Sequence, residues 1–510
     1  MLPGAAAAVS AAAQAPSFVL HETAAEATGI WTFHHEHVLG TSLEMSVRAG
    51  SLAAAEKTEA AVLAQMDRDE AGLSTWRAES EVSRWARTRF EPVAVSPELF
   101  EVLTAFDGWR ERTGGALDAS VEAATRVWQR ATAEGRVPTD AEIAVAVEAM
   151  KQPHWRLDAE HGTATRLSDV PLALASFTKS YISSRAAEAA LKAGATGVML
   201  NVGGDVVVRG NLTQVVAVAD PRAAAENGVA LEHVVVRDGA VATSGSYRRG
   251  FELAEAVRVG APAYSHLIDP RTARPVSHVL SSTVMARDAV TAGALATAFS
   301  VMPVEESERL AERTPGVEYL LVLSGGDEVR SAGWPTAAGL RAAAFQRPRV
   351  GAPAAGMWDP TYELNIEVTL PRIEYGRYRR PYVAVWIEDG DRFPVRTIAL
   401  WSEKPKYITE LTEWYREDWD RSRKQGVTDL WRTVSSATRP PGTYTLMWDG
   451  KDNDGKPVKA GKYTVCIEAA REHGGYDIDR QEVEFDAKPK QMTLPAAHEL
   501  GAVKIDYRKR

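Results

Sequence analysis

The polar residues best suited to chemistry are concentrated between Ala242 and Pro275. This segment holds a Ser/Thr/Gly turn, two adjacent arginines, one histidine and an Asp-Pro-Arg-Thr turn. Gly and Pro mark turns, and Asp and Thr side chains bond neighbouring backbone groups, so His266 is predicted at a strand end beside a rigid turn. Ligand contacts concentrate on loops held by a scaffold. The segment is therefore a candidate site, with an ordinary hairpin and a solvated histidine as the alternative.

Two glycine pairs lie shortly before an aspartate. The stretch from Gly197 to Gly210 predicts a buried strand, a turn at Gly203 and Gly204, and a second strand. Adjacent glycines let the backbone approach a flavin or a phosphate closely, although any tight turn uses them too. Asp118 follows another Gly-Gly turn at the start of a helical pattern, where it is either an N-cap or a ligand contact.

The elements that must position these residues follow from hydrophobic periodicity and capping signals. Strand-like alternation is predicted from Phe18 to Val47 around Leu39-Gly40-Thr41, and a small-residue helix is predicted from near Thr291 after a turn at Asp288. Lys179 lies in the first turn of another predicted helix. The longer helices are predicted over residues 52–66, 96–112, 139–150 and 174–193.

Histidines 34, 35 and 37 invite a metal interpretation. Strand alternation places His35 and His37 on one face, but no carboxylate or cysteine recurs nearby with ligand spacing. A solvated strand face is the favoured interpretation.

Length and composition limit the number of domains and the possible partners and cysteine-based sites. A chain of 510 residues exceeds one compact core, so two or three domains are expected. The net charge is −9 without a long basic run, which argues against a nucleic-acid partner. Cys466 is the only cysteine, so an internal disulfide framework and a cysteine zinc cluster are excluded.

The first 17 residues are Ala-rich and end in small residues. We interpret them as the remainder of an export signal, with a disordered extension as the alternative. No apolar run reaches the roughly 20 residues that span a bilayer. A periplasmic location is therefore expected.

A composition change divides the chain. Residues 348–357 are rich in Pro, Gly and Ala without periodicity, so they are predicted to link a domain at 18–347 to one at 358–510. The second domain is rich in Trp and Tyr and has regularly spaced strands, which is typical of an immunoglobulin-like β-sandwich. Two of its strands are expected to form a hairpin around the Asp- and Gly-rich turn at 449–455.

Seven motifs in collinear order resemble the FAD:protein FMN transferase family, also called ApbE-type flavin transferases. The resemblance covers about residues 30–345 and rests on LGT at 39–41, STWRAESEVSR at 74–84, TGGALDAS at 113–120, TKSY at 178–181, NVGGD at 201–205, ATSGSY at 242–247 and HLIDPRTARP at 266–275. It implies an α+β transferase domain of mixed sheets and helices. The C-terminal region resembles a β-rich domain of unknown function that accompanies such transferases.

The resemblance also implies an activity. Family members use Mg²⁺ to split FAD and attach FMN through a phosphoester to a Thr or Ser of a target protein, releasing AMP. The expected partners are FAD and an exported flavin-acceptor protein, with a membrane redox partner for the C-terminal domain. This chain itself contains no Asp-x-x-Ser/Thr-Gly-Ala-Ser/Thr acceptor motif, so it would act on another protein.

Site residues follow position by position from the matched motifs. His266 and Arg271 are expected near the chemistry, where Arg271 either meets phosphate as a bidentate donor or braces its loop. The residues expected to contact FAD are Leu39, Gly40, Thr41, Asp118, Lys179, Gly203, Gly204, Ser244 and Asp269.

Four positions depart from the family pattern. The family's Ala-Asp-Ala-Leu helix reads Ala292-Gly293-Ala294-Leu295 here, so a glycine replaces the expected metal-binding carboxylate. The family's Lys-Gly-Tyr, followed by Asp three residues later, reads Lys179-Ser180-Tyr181 and Ser184 here, and Ala273 replaces the glycine after the DPRT turn. A hard cation prefers charged oxygen, so magnesium binding should weaken, with Thr297, Asp288 or Asp269 as partial substitutes.

Two functions therefore compete. The first is an active FAD:protein FMN transferase that modifies an exported redox protein. The second is a catalytically degenerate flavoprotein or scaffold that binds FAD while its β-sandwich docks a membrane redox partner. Gly293 favours the second, and the preserved HLIDPRT segment favours the first.

Overall fold

The computed structural model describes residues 29–223, 225, 228, 230–245, 250–251, 264–334, 356–372, 379–402, 405–425, 435–436, 438–439, 441–453, 455–472 and 474–510. The strands up to residue 334 are β1 Gly29–Val38, β2 Thr41–Ala49, β3 Pro92–Ala94, β4 Trp155–Asp158, β5 Thr163–Arg166, β6 Gly197–Val202, β7 Asp205–Val218, β8 Glu232–Gly245, β9 Gly250–Phe251, β10 Tyr264–Ser265, β11 Ile268–Asp269, β12 Arg274–Pro275, β13 Val279–Ala286, β14 Glu318–Leu323 and β15 Glu328–Arg330. The helices of this region are α1 Leu52–Leu73, α2 Glu81–Trp85, α3 Pro97–Arg112, α4 Glu122–Ala133, α5 Asp140–Lys151, α6 Ala175–Lys192, α7 Ala289–Val301 and α8 Val304–Glu312.

An eight-stranded sheet organises this region, in the order β1-β2-β6-β7-β8-β13-β14-β15. All of its strand pairs are antiparallel. Smaller sheets pair β3 with β5 and β4, β9 with β10, and β11 with β12. The sheet therefore brings turns that are far apart in sequence to shared edges.

Both faces of the sheet are covered by apolar residues. In β2, Leu43, Met45 and Val47 are buried at alternate positions, as expected for a strand with one face in a core. They join a cluster formed with α1, α3, α6, α7 and α8, while Met199, Val208 and their neighbours fill a second cluster. Helix α7 is buried nearly all round because it runs through the first cluster.

Several sequence-based expectations agree with these elements. The turn at Leu39 and Gly40 joins β1 to β2, and the Gly203-Gly204 turn joins β6 to β7. Ser96 caps α3, Thr139 caps α5 in a capping box, and Asp288 caps α7. The first helix was predicted too short: α1 continues to Leu73 because Val62, Met66 and Leu73 keep one face in the core.

From residue 356 onward the chain is rich in strands. The strands are β16 Tyr362–Leu370, β17 Tyr382–Glu388, β18 Pro394–Trp401, β19 Ser435–Ser436, β20 Gly442–Trp448, β21 Gly461–Ala470, β22 Tyr476–Phe485, β23 Lys490–Leu494 and β24 Val503–Lys509, and the helix is α9 Thr412–Gln425. They form a four-stranded sheet, β20-β16-β24-β23, and a five-stranded sheet, β19-β18-β17-β21-β22. Residues of both sheets share one buried cluster, including Ile366, Val385 and Ile467.

The expected hairpin around residues 449–455 is wrong in its strand pairing. The turn is hydrogen-bonded, with the Lys456 amide donating to the Asp452 carboxylate (2.8 Å). Its flanking strands β20 and β21, however, belong to different sheets. Alternation predicts each strand but not which neighbour it pairs with. The immunoglobulin-like arrangement stays a prediction.

The proposed division of the chain also stays a prediction, because residues 1–17 and 348–355 lie outside those described. Over the described ranges, no helix combines the length and apolar character needed to cross a membrane.

Candidate functional site

Two predicted turns meet at the end of the β1-β2 and β6-β7 hairpins. Leu39 and Gly40 adopt positive φ angles of 51° and 74°. Gly203 has φ of 57°, its amide donates to the Ser42 carbonyl (3.1 Å), and a Cβ there would lie 2.6 Å from Thr41 Oγ1. The close approach therefore requires glycine at 203. Leu39, Gly40, Thr41, Gly203 and Gly204 form one surface, here called the paired turns.

A charged pair lies beside the paired turns. Asp205 begins β7 directly after Gly204, and its Oδ2 atom is 3.0 Å from the ammonium of Lys179 on α6. The Ser180 hydroxyl lies 3.5 Å from the same oxygen. Lys179 remains partly exposed, whereas Ser180 is buried. The predicted Lys179 position thus faces the glycine turn, and Asp205 is a partner that the sequence prediction did not include.

Helices α6 and α7 touch at the same place. A Cβ on Gly293 would lie 2.5 Å from Ser180 Oγ and 3.1 Å from Ser180 Cβ. One turn later, Thr297 Oγ1 lies 3.2 Å from the Gly293 carbonyl, 3.4 Å from the Ser176 carbonyl and 3.4 Å from Ser244 Oγ. Lys179, Ser180, Asp205, Ser244, Gly293 and Thr297 are called the α6–α7 cluster below. It gathers three predicted contact residues from three separate elements.

The α6–α7 cluster does not fit a magnesium ion. Magnesium is usually bound in octahedral geometry through one or two carboxylates together with substrate phosphates. The cluster offers one carboxylate, Asp205, which already pairs with Lys179. In the part of the chain that the structure describes, no group of three or more His, Cys, Asp or Glu side chains could hold a metal ion.

Asp288 and Asp269, the two other residues predicted to replace the missing carboxylate ligand, are bonded to other groups. Asp288 caps α7, accepting from the Thr291 amide (2.7 Å), and it precedes Thr297 by nine residues. Nine residues of helix correspond to about 13 Å of rise, so Asp288 and Thr297 cannot ligate one ion. Asp269 is engaged by Arg271 in an ion pair (2.9 Å).

Arg271 braces its own loop. Its guanidinium contacts both oxygens of Asp269 and, through Nη1, the Glu306 carboxylate of α8 (3.0 Å). These bonds raise the pKa of Arg271, because the Asp269 and Glu306 carboxylates stabilise its charged form. The geometry favours the bracing alternative over a phosphate contact, and a catalytic part for Arg271 stays a prediction.

Asp118 has a capping position. It accepts from the Ser120 amide and hydroxyl (2.8 and 2.7 Å), and its other oxygen pairs with Arg110 Nε (2.5 Å). The next residue, Ala119, accepts from the Ala173 amide (2.7 Å) just before α6 begins. The segment that follows the Gly-Gly turn is therefore bonded to the chain just before α6, and Gly115 lies against the side chain of Arg271.

His266 lies between β10 and β11, half-buried, three residues before Asp269. The neighbouring β11-β12 hairpin is anchored by the Trp128 indole, which donates to the Ala273 carbonyl (2.8 Å). The predicted histidine at a strand end beside a rigid turn agrees with this placement. The adjacent arginines of the segment, 248 and 249, lie outside the described residues.

Sequence reasoning missed a cavity of about 480 Å³ lined by parts of α2, α4 and the segment before α6. Trp76 lines it and is 93% exposed, while Arg166 lines it and is 2% exposed. Burial lowers the pKa of Arg166 to about 10, and its Nε atom has no hydrogen-bond partner. Its two other guanidinium nitrogens donate to the carbonyls of His154 (2.7 Å) and Val170.

The chain matches known proteins over both regions. A family model described as the ApbE family matches residues 39–321, and one described as a predicted periplasmic protein (DUF2271) matches residues 363–502. An FAD:protein FMN transferase of Klebsiella pneumoniae is 30% identical over 301 residues, which is 56% of this chain and 83% of that protein. One from Vibrio cholerae is 30% identical over 265 residues, covering 50% of this chain and 76% of that protein.

A solved structure agrees with these matches. The ApbE protein of Thermotoga maritima aligns with a TM-score of 0.52 and 29% identity, covering 60% of this chain and 97% of that one. The predicted α+β fold of this type, followed by a β-rich region, is confirmed.

Proposed function

Because the chain belongs to the ApbE family, we propose that it is an FAD:protein FMN transferase that modifies an exported redox protein. Relatives with this name support an enzyme of this kind. The observation that carries the proposal is the convergence of the paired turns with Lys179 and Ser244, which come from distant parts of the chain. The C-terminal match to predicted periplasmic proteins supports an exported location.

In this proposal the paired turns hold the dinucleotide. Positive φ angles at Leu39, Gly40, Gly203 and Gly204 expose backbone at close range, as a phosphate-bearing ligand requires. Lys179 supplies a cation at their edge, held at 3.0 Å by Asp205.

The reaction is a phosphoryl-type transfer. The acceptor's Thr or Ser oxygen attacks the phosphorus of the FMN half as the bond to the bridging diphosphate oxygen breaks, and AMP leaves with that oxygen. His266 takes the hydroxyl proton, since an imidazole titrates near neutral pH. Lys179 stabilises the charge that develops on the phosphates.

The test combines the protein with FAD and a peptide carrying Asp-x-x-Thr-Gly-Ala-Thr. We expect AMP and a peptide whose mass increases by one FMN moiety. His266→Ala should lower turnover about a hundredfold or more, as loss of a general base does. His161→Ala is the matched control, because His161 lies on an exposed turn where it pairs with Asp158. Equal turnover in both variants would remove His266 from the mechanism.

One observation favours a second function. Gly293, packed against Ser180, leaves the cluster without the carboxylate that a magnesium-dependent transferase would use. The alternative is an FAD-binding flavoprotein or scaffold without turnover, whose C-terminal domain docks a membrane redox partner. Tight FAD binding without AMP or a peptide adduct would select this alternative.

A further inference from the structure

The contact between Ser180 and Gly293 is reciprocal. Ser180 is 2% exposed, and its hydroxyl fills the volume that any side chain at 293 would enter. Phe177 closes the same space from one turn earlier on α6, with its Cβ 3.5 Å from the Gly293 Cβ position. Interiors are packed so densely that neither residue can grow unless the other shrinks.

The charge of the α6–α7 cluster follows from this packing. Lys179 and Asp205 are its two charged members, and they neutralise each other at 3.0 Å. An aspartate at 293 would add the negative charge that a divalent cation needs, but its Cβ would lie 2.5 Å from Ser180 Oγ, so Ser180 would have to shift. The positively charged ammonium of Lys179 would also repel an incoming cation.

We propose that this chain binds its flavin dinucleotide without a divalent cation, and that Ser180 and Gly293 act as a coupled pair that fixes this state. Lys179 provides the positive charge at the diphosphate, and Ser180 is a positioning residue that keeps the metal-ligand volume closed. The proposal rests on the proposed function for its ligand, whereas the coupling of residues 180 and 293 stands apart from it.

The first experiment titrates the unmodified protein with FAD by calorimetry, once in EDTA and once in millimolar Mg²⁺. We expect the two dissociation constants to agree within about twofold. Affinity raised about tenfold or more by Mg²⁺ would overturn metal independence while leaving the proposed function standing. No FAD binding in either buffer would instead contradict the proposed function.

The second experiment measures the melting temperature, with and without Mg²⁺ alone, of Gly293→Asp, Ser180→Gly and the double variant. Gly293→Asp should lower it by about 5 °C or more because of the overlap with Ser180. Ser180→Gly should relieve this loss, and only the double variant should gain a Mg²⁺-dependent rise of about 3 °C. Gly108→Asp is the control for placing an aspartate in a helix. A Cβ at Gly108 would have no atom nearer than 3.6 Å.

A melting temperature of Gly293→Asp equal to that of Gly108→Asp, or a magnesium response in that single variant, would contradict the coupling. If Gly293→Asp does not fold, Gly293→Ala tests the same contact, because it adds only the Cβ that meets Ser180 Oγ at 2.5 Å. Its loss of melting temperature should then disappear in the Ser180→Gly background, and a loss that persists there would sink the coupled pair.

Discussion

The two regions of the molecule use their polar residues differently. In the α6–α7 cluster, Lys179 is partly exposed and is held by one carboxylate beside glycine turns. In the C-terminal region, Glu388 and Glu468 are almost completely buried. Glu468 accepts from the amides of Glu413 and Trp414 (3.0 and 2.8 Å) at the start of α9.

The buried carboxylates of Glu388 and Glu468 are thus hydrogen-bonded within the fold. Glu388 accepts from the Trp386 indole (2.8 Å), and Glu413 pairs with Arg480 (2.7 Å). Buried polar groups must be bonded or they destabilise the fold. The comparison teaches that density of charge alone does not mark a site: accessible, incompletely engaged groups beside glycine turns do. By this criterion Asp118 and Arg271 resemble the C-terminal region.

The largest effect that tests this comparison is on stability in the C-terminal region. Glu468→Ala leaves two amides at the start of α9 without their acceptor, so it should cost about 4 kcal/mol of unfolding free energy. Urea unfolding followed by tryptophan fluorescence measures it. Glu482→Ala is the control, since its exposed pair with Lys462 contributes little. If Glu468→Ala is fully folded but binds FAD more weakly, Glu468 is not a purely structural residue and the contrast between the two regions is wrong.

The second effect concerns the paired turns. Gly203→Ala should cost about 3 kcal/mol, because it adds overlap with Thr41 to the strain of a positive φ. Gly162→Ala has a similar φ of 61° and open space around its Cβ, so only the strain applies there, about 1 kcal/mol. Denaturant unfolding of both variants gives the difference. Equal losses would show that the turns do not press on each other.

A smaller expected effect, on FAD affinity, tests whether the α6–α7 cluster contacts the ligand. Lys179→Met removes the cation of the α6–α7 cluster and leaves Asp205 facing the phosphates, so FAD affinity should fall about tenfold. Calorimetry measures the FAD affinity. The melting temperature of the variant should stay close to that of the unmodified protein. Lys192→Met, at the exposed C-terminal end of the same helix, should bind FAD normally. Equal affinities would place the ligand elsewhere.

The smallest effect depends on pH. Burial lowers the pKa of His154 below that of the unfolded chain, with Asp118 opposing and Arg166 and Arg110 assisting the shift. Between these two pKa values the unfolded chain binds the extra proton, so stability is lost as pH falls from about 6.5 toward the folded pKa. His154→Asn should flatten the pH dependence of urea unfolding. A pH dependence that persists unchanged in His154→Asn would assign it to other groups.

Much of the fold could be predicted from local patterns. Alternation placed β2 and the hairpins around Gly40 and Gly203, and capping residues placed the starts of α3, α5 and α7. The predicted pairing of the strands on either side of residues 449–455 was wrong, because β20 and β21 belong to different sheets. That choice depends on residues far away in sequence.

The site divides in the same way. The sequence by itself determined the motifs, the glycines that positive φ angles require, and the absence of an acid at 293, because each depends on residue type alone. Only the tertiary structure decided that Ser180 fills the space above Gly293, that Asp205 holds Lys179, and that Glu306 helps to hold Arg271. These contacts join residues up to 113 positions apart, counted from Ser180 to Gly293, and packing between helices and turns rather than local propensity brings them together.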